Sequence, residues 1–290
     1  MKIYEQLGEL LADYRVYHNL SQMDFAARMD VDVRTIIRWE MNQSLIKSEK
    51  ERDLVEKTFI PYQVIRNLNA AVSIPTFYSF TLRKYALAER SNPLPSANWM
   101  KEQMHHTSDR LRSIETSSDI DQILKYIKHH DMPSKRVNPE LIKEAARLLP
   151  ELNLIIFDKA GYYAGHSVIL PLKPSAYQKL KEQRIMENQL AVDDLTHFKN
   201  EPTPFFHSLE VTADCNENIF YIMGAILKFF SRFAPENYRI TTITRRHDSY
   251  ALNEQLGLKL IWGDPSEPES NETFLSPRFY EGNFNTFFKA

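Results

Sequence analysis

The sequence predicts a multidomain chain: an all-α domain over residues 1–60, a helical linking segment over 61–137, and an α/β (α+β) mixed-sheet domain over 138–290. Three observations carry that reading. Apolar residues recur at helical spacing through the first sixty positions, and the stretch after them is aromatic and helix-like apart from a SNPLPS breaker at 91–96. Beyond Pro139, β-rich runs alternate with helical ones. At 290 residues with 43% hydrophobic and 12% aromatic side chains, the chain has apolar material for more than one core, which argues against disorder.

Taken in order, Tyr4, Leu7, Leu10, Leu11 and Tyr14 share one side of a helix predicted over 3–17. Ser21 is placed to cap SQMDFAARM, in which Phe25, Ala26 and Met29 form a buried face. Asp30-Val31-Asp32 breaks the pattern, and Asp32 caps a second helix, VRTIIRWEMN, anchored by Ile36, Ile37 and Trp39. Arg34 and Arg38 are four apart and project from one side, while short Thr35 permits close approach. A helix that points two arginines outward fits the major groove of double-stranded DNA, where guanidinium pairs with guanine O6 and N7. Residues 47–59 offer another helix, ended by Pro61. IPTFYSFTLRKYALAER and SANWMKEQMHHTSDRLRSI read as linking helices whose aromatic stripes serve as core or dimer seam.

In the last domain, LIKEAARLLP is a short helix and NLIIFDKAGYYAGHSVILPL is two strands joined through a turn at Asp158, Lys159 and Gly161. YQKLKEQRIMENQL is helical, FFHSLEVTAD a strand, NIFYIMGAILKFFSRF an apolar helix and YRITTITRR a strand. DSYALNEQLGLKLI closes with helix, turn and strand, leaving the remainder as a C-terminal tail.

Composition narrows the function classes. One cysteine, Cys215, leaves no internal disulfide framework and reads as a buried, inert thiol. No apolar run approaches eighteen residues and no basic-then-apolar leader is present, so a cytoplasmic protein without a membrane span is expected. The adjacent pairs His105-His106 and His129-His130 turn their rings apart on a helix, so no metal site is expected. His247-Asp248, after Arg245 and Arg246, reads as a polar cap on the closing helix, with anion binding as the alternative. Residues 1–60 carry 9 basic and 11 acidic side chains, 61–137 carry 11 and 7, and 138–290 carry 16 and 20. An acidic reading head binds phosphates weakly as a monomer, which predicts a homodimer on a two-fold site.

Leu20 to Gln43 resembles the XRE-type (phage-repressor-like) helix-turn-helix family, keeping Leu20, Ser21, Gln22, Ala26, Val31, Thr35, Ile36, Arg38, Trp39 and Glu40 of its usual run. The resemblance implies a phosphate contact at Gln22, base reading by Val33, Arg34 and Arg38 with Thr35 at the DNA beside them, and backbone contacts from Asn42 and Lys47. Asp30 stands where the family has its turn glycine, and Asp32 places a carboxylate near the phosphates.

Residues 138–265, and ALNEQLGLKLI above all, resemble the GNAT (N-acetyltransferase) family, whose closing helix and strand commonly read LYEKLGFK. The resemblance implies acyl-CoA held by the backbone of Glu210, Val211, Thr212 and Ala213 and by a glycine-rich loop opening the next helix. Of that R-x-x-G-x-G/A loop only Gly224 survives, and Asp214 and Glu217 add negative charge. Asn253 replaces the general-acid tyrosine, leaving Tyr250 one turn earlier as substitute and Glu210 as candidate base. Together the resemblances imply a transcription regulator whose catalytically degenerate GNAT-like domain senses a small-molecule ligand or holds the dimer. Two alternatives stand beside it: an active acyl-CoA-dependent N-acyltransferase carrying a DNA-binding module, and an antitoxin-like repressor bound to a protein partner.

Overall fold

Strands enter the N-terminal region that the sequence predicts as all-α. The computed structural model describes residues 1–130, 137–263 and 276–289. They fall into two units: Met1–Pro93 with Asp158–Tyr162 and Asp214–Asn216, and Leu94–Phe157 with Tyr163–Ala213 and Glu217–Ala290.

The first unit runs β1 (Lys2–Tyr4), α1 (Leu7–Tyr17), α2 (Gln22–Met29), α3 (Val33–Glu40), α4 (Ser48–Thr58), α5 (Tyr62–Leu68), β2 (Thr76–Ser79) and β3 (Lys84–Ala86). β1, β2 and β3 form an antiparallel sheet in that order. This corrects two expectations. The helix predicted from residue 3 begins at Leu7, because Gln6 is extended and β1 pairs with β2. IPTFYSFTLRKYALAER is a hairpin and not a helix: Thr76 and Tyr78 alternate inward, and Arg83 at φ 56 turns the chain back. Aromatic and β-branched residues at period two outweigh the helical spacing read there. Leu10, Leu11, Tyr14, Phe25, Met29, Ile36, Leu54 and Ile65 are fully buried in one cluster, and each contributes about 1.5–3 kcal/mol by leaving water.

His18 packs 4.4 Å from the Tyr14 ring, and burial, followed by the charge of Arg28, pushes its imidazole down to about 4. The unfolded chain takes up that proton near 6.5, whereas the folded unit refuses it until about 4. The contribution is therefore complete above about 6.5 and drains away as pH falls toward 4. Urea titrations at several pH values should show a loss of stability across this window that His18→Gln flattens; parallel curves for both proteins would refute it.

The second unit contains α6 (Ala97–Gln103), β4 (Leu111–Ser113), α7 (Ser117–His130), α8 (Pro139–Leu148), β5 (Leu154–Phe157), β6 (Tyr163–Leu172), α9 (Pro174–Lys181) and β7 (Phe205–Ala213). It continues with α10 (Asn216–Arg232), β8 (Arg239–Thr244), α11 (Tyr250–Gln255), β9 (Leu258–Trp262), β10 (Arg278–Gly282) and α12 (Asn285–Lys289). Its sheet has seven strands in the order β4-β5-β6-β7-β8-β10-β9, and only β7 and β8 are parallel, joined by α10. The predicted tail is in fact structural: β10 inserts between β8 and β9, with Phe279 and Tyr280 wholly buried. Residues 264 and 265, at the end of the predicted similarity, lie outside the described residues. The helix expected from Tyr177 onward stops at Lys181, where Gln183 at φ 57 breaks it. No helix among the described residues is long and apolar enough to cross a membrane, and none of their His, Cys, Asp and Glu side chains cluster as a metal site.

Arg112 and Asp119 lock the start of α7. Burial opposes ionisation of Asp119, but two guanidinium bonds of 2.7 and 2.6 Å and the amides of Thr116 and Glu115 outweigh it and hold the carboxyl well below the usual range.

Candidate functional site

Two places gather the residues that the sequence singles out. In the first unit, Ser21 Oγ accepts from the Asp24 amide at 3.1 Å and Asp24 accepts from the Ser21 amide at 2.9 Å, so α2 starts with a reciprocal cap. Asp30 occupies the turn at φ 52, a left-handed position that aspartate tolerates better than most residues. Asp32 spends its carboxylate as the cap of α3, accepting from the Arg34 amide at 2.8 Å. Ile36 and Trp39 are buried and anchor the helix, whereas Ile37 is only half-buried.

Arg34 and Arg38 are exposed on the outer side of α3, and neither forms an ion pair among the described residues. Val33 and Thr35 are half-buried beside them, and Lys47 is exposed just before α4. The other polar groups of the hairpin are tied internally. Gln22 donates its amide to Glu40 at 2.7 Å, and Glu40 also accepts from Arg15 at 2.8 Å. Asn42, at φ 54, accepts from the Gly8 amide at 2.8 Å, so this side chain fastens α1 to the end of α3.

In the second unit, strand register places the groups. β7 pairs with β8 only from Phe205 to Ser208, and the strands then part. Leu209 to Ala213 have no strand partner on the β8 side among the described residues. The β6–β7 register slips between Val168 and Ile169, leaving Leu209 as the extra residue of a bulge. Residues paired directly across the ladder share a face. Glu210 faces with Val168, Thr212 with His166 and His207 with Leu170, so the bulge brings Glu210 and Thr212 onto the face that His207 already occupies.

His166 is wholly buried and Glu210 nearly so, with imidazole Nε2 and carboxylate Oε2 3.9 Å apart. The Tyr163 hydroxyl is hydrogen-bonded to His166 Nδ1. Tyr126 of α7 closes over them, its hydroxyl 3.0 Å from Thr212 Oγ1 and its ring 5.7 Å from that of His166. Gly165 makes this packing possible, because a Cβ there would stand 2.4 Å from the Thr212 carbonyl oxygen. The sequence reading found Glu210 but missed His166, Tyr163 and Tyr126. The available signal was a histidine at an inward position of the otherwise apolar run SVILPL and its approach.

A second buried histidine also escaped the sequence reading. His207 lies between Thr241 Oγ1 and Glu187 Oε1, each at 2.9 Å, and so fastens the segment after α9 to the sheet. His207→Ala removes both bonds and opens a cavity, and should cost about 2–4 kcal/mol in denaturant unfolding. A change under about 0.5 kcal/mol would show the clasp to be idle.

The remaining expected residues are dispersed. Tyr250 belongs to the core cluster on the α10 side, 6.2 Å from the Tyr280 ring and 4.0 Å from the Arg278 guanidinium. It is thus grouped with the opposite side of the sheet from Glu210. Gly224 lies in the interior of α10, facing Met104, where its amide belongs to the helix's own ladder and cannot cradle a phosphate. Phe220 packs on Trp99 at 5.0 Å, and Tyr221 lies beneath Arg110 at 5.7 Å. The turn before α10 is already engaged: Asn216 donates to the Ser91 and Pro93 carbonyls and accepts from Lys84, while the Asp214 carbonyl accepts from the Tyr85 amide. The unpartnered side of β7 suits an extended ligand arm, whereas this turn, Asp214-Cys215-Asn216, has no glycine to let a diphosphate approach its backbone closely.

No family model and no curated relative matches the sequence. Among solved structures, the chain is similar to Arabidopsis thaliana Naa50 in complex with a bisubstrate analogue, at 9% identity, covering 60% of this chain and 97% of that one with a TM-score of 0.38. It is similar to a mosquito arylalkylamine N-acetyltransferase-like protein at 13% identity, covering 60% and 98%, TM-score 0.35. The GphF GNAT-like decarboxylase in complex with isobutyryl-CoA is matched at 12% identity, covering 60% and 99%, TM-score 0.39. At these identities and scores the likeness carries no statement about chemistry.

Proposed function

We propose that this chain is a sequence-specific DNA-binding regulator that docks α3 in the major groove as a homodimer, with a GNAT-like second unit. The observation that carries the reading is the state of α3: a capped, apolar-anchored helix whose exposed Arg34 and Arg38 have no ion-pair partner among the described residues. Guanidinium groups so held are ready to pair with guanine edges without first breaking an ion pair, the one internal contact being a 3.4 Å bond from Arg38 Nε to the Arg34 carbonyl. The resemblance of Leu20 to Gln43 to XRE-type helix-turn-helix segments supports the same partner. Gln22 is held by Glu40, which fixes the direction of its amide, and Lys47 adds a cation for the backbone.

Selection from a pool of random duplexes, followed by affinity measurement over a range of salt, tests the proposal. A two-fold consensus with guanines in each half-site is expected, and sedimentation should give a dimer on one duplex. Recovery of no consensus, with equal affinity for every duplex, would sink it.

A second reading is favoured by one feature: a nearly buried carboxylate, Glu210, on the strand that parts from its neighbour. In that reading the unit transfers an acyl group from a thioester, such as acyl-CoA laid along Leu209 to Ala213, to an amine that Glu210 deprotonates: the C–N bond forms, the C–S bond breaks, and the sulfur leaves as the free thiol with a proton. The thioester supplies the activated acyl carbon. The chain supplies the base and the surface, but no glycine loop for a diphosphate. Acetyl-CoA turnover with an amine panel, lost in Glu210→Gln, is the expected result.

A further inference from the structure

Resting on that second reading, we infer that His166 is a positioning residue for Glu210, and that the Tyr163 hydroxyl decides which imidazole nitrogen carries the proton. The three groups stand in a row. Tyr163, half-buried, is bonded to His166 Nδ1, and the opposite ring nitrogen, Nε2, faces Glu210 Oε2 at 3.9 Å. A phenol donates readily to an imine-type nitrogen, and with Nδ1 occupied as acceptor the neutral ring keeps its only hydrogen on Nε2. That N–H dipole points at the carboxylate.

The consequence is specific to a buried acid. Glu210 and His166 are 8% and 0% exposed, so water does little to hold the carboxylate in its charged form. A neutral imidazole directed by Tyr163 favours the charged form without placing a full positive charge in the sheet. Among the described residues, α7 contributes the aromatic and imidazole groups nearest the pair. Tyr126, on α7, lies over the His166 ring and bonds Thr212 on β7. His130, one turn along α7, is 4.5 Å from the Tyr126 ring. Gly165 sits beside His166 and brings β6 close to β7, and the bulge at Leu209 sets Glu210 on this face, so register and tautomer act together.

Two measurements on the full chain separate this inference from the reading beneath it. In protein with nitrogen-labelled histidine, His166 of the wild type should show Nε2 protonated and Nδ1 bare. Tyr163→Phe should shift that balance toward Nδ1–H by a factor of several, with unchanged circular dichroism. A wild-type His166 protonated on Nδ1, or a balance indifferent to Tyr163→Phe, overturns the inference whether or not the protein is an acyltransferase. The second measurement is the pH profile of acetyl-CoA turnover with an amine panel. His166→Ala should move the acid limb upward by about one pH unit, and His166→Gln, which keeps an N–H donor, should restore most of it. An unmoved limb in a folded His166→Ala protein overturns the inference. Absence of any turnover in the wild type removes the acyltransferase reading, and the nitrogen spectra then decide the tautomer alone.

Discussion

Replacing Arg34 and Arg38 together by alanine should reduce affinity for the selected duplex at least about 30-fold while leaving weak, non-specific binding nearly unchanged. Each bidentate guanidinium–guanine contact is worth about 1–3 kcal/mol of discrimination, so two such losses amount to about 2–6 kcal/mol where the contacts are independent. The effect should concentrate on sequence preference. Both side chains are exposed and outside any ion pair among the described residues, so their removal costs the fold little. Gln22→Ala should instead weaken all duplexes alike, and it should also loosen the hairpin, because Gln22 is bonded to Glu40. Competition titrations with matched and scrambled duplexes distinguish these outcomes. Equal losses on both duplexes in the double-arginine variant would mean that α3 touches only phosphates.

A large loss of stability is also expected from Gly8→Ala. In most helices this change gains about 1 kcal/mol, since alanine is the better helix former. At residue 8 the new Cβ would stand 2.4 and 2.5 Å from the carbonyl oxygens of Trp39 and Glu40 and 2.7 Å from Asn42 Oδ1. Two of these three atoms are backbone, so no side-chain rotation relieves the clash. α1 must withdraw from the end of α3, breaking the Gly8–Asn42 bond and opening the core around Leu10, Leu11 and Trp39. The steric cost exceeds the helix gain, and a net loss of about 3 kcal/mol is expected in urea unfolding. DNA binding should fall with it, since α3 loses the support that sets its orientation. A variant as stable as the parent would show that α1 and α3 have room to move.

Caps and helix periodicity made the hairpin legible. Ser21, Asp32, Phe25, Ala26, Met29, Ile36 and Trp39 all sit as their local chemistry dictates, because caps and apolar spacing act within a few residues of sequence. The alternation of strands and helices after Pro139 is equally local and gave most of the mixed sheet. What escaped depends on distant partners. β2 and β3 are short, and their aromatic residues suit a helix or a strand until a neighbouring strand decides. β10 follows a gap in the pattern and pairs with strands whose identity the local sequence does not state. At the candidate site, Glu210 was visible as a lone carboxylate in an apolar strand. Its companions were not, because His166 meets it through a register shift and Tyr126 reaches His166 and Thr212 from a helix more than thirty residues away in sequence. Gly224 failed as a cofactor residue for the same kind of reason: matching a motif by position ignores how far into α10 it falls.

The first unit borrows two short turns, Asp158–Tyr162 and Asp214–Asn216, from between the strands of the larger sheet. Tyr162 rests 5.1 Å from Tyr62, and Tyr85 donates to the Asp214 carbonyl at 2.7 Å. A fragment ending at Pro93 would therefore leave those attachments behind, and its melting temperature should lie below that of the same residues in the intact polypeptide. Trimming the gene at the obvious breaker would yield a truncated unit missing two of its own stitches.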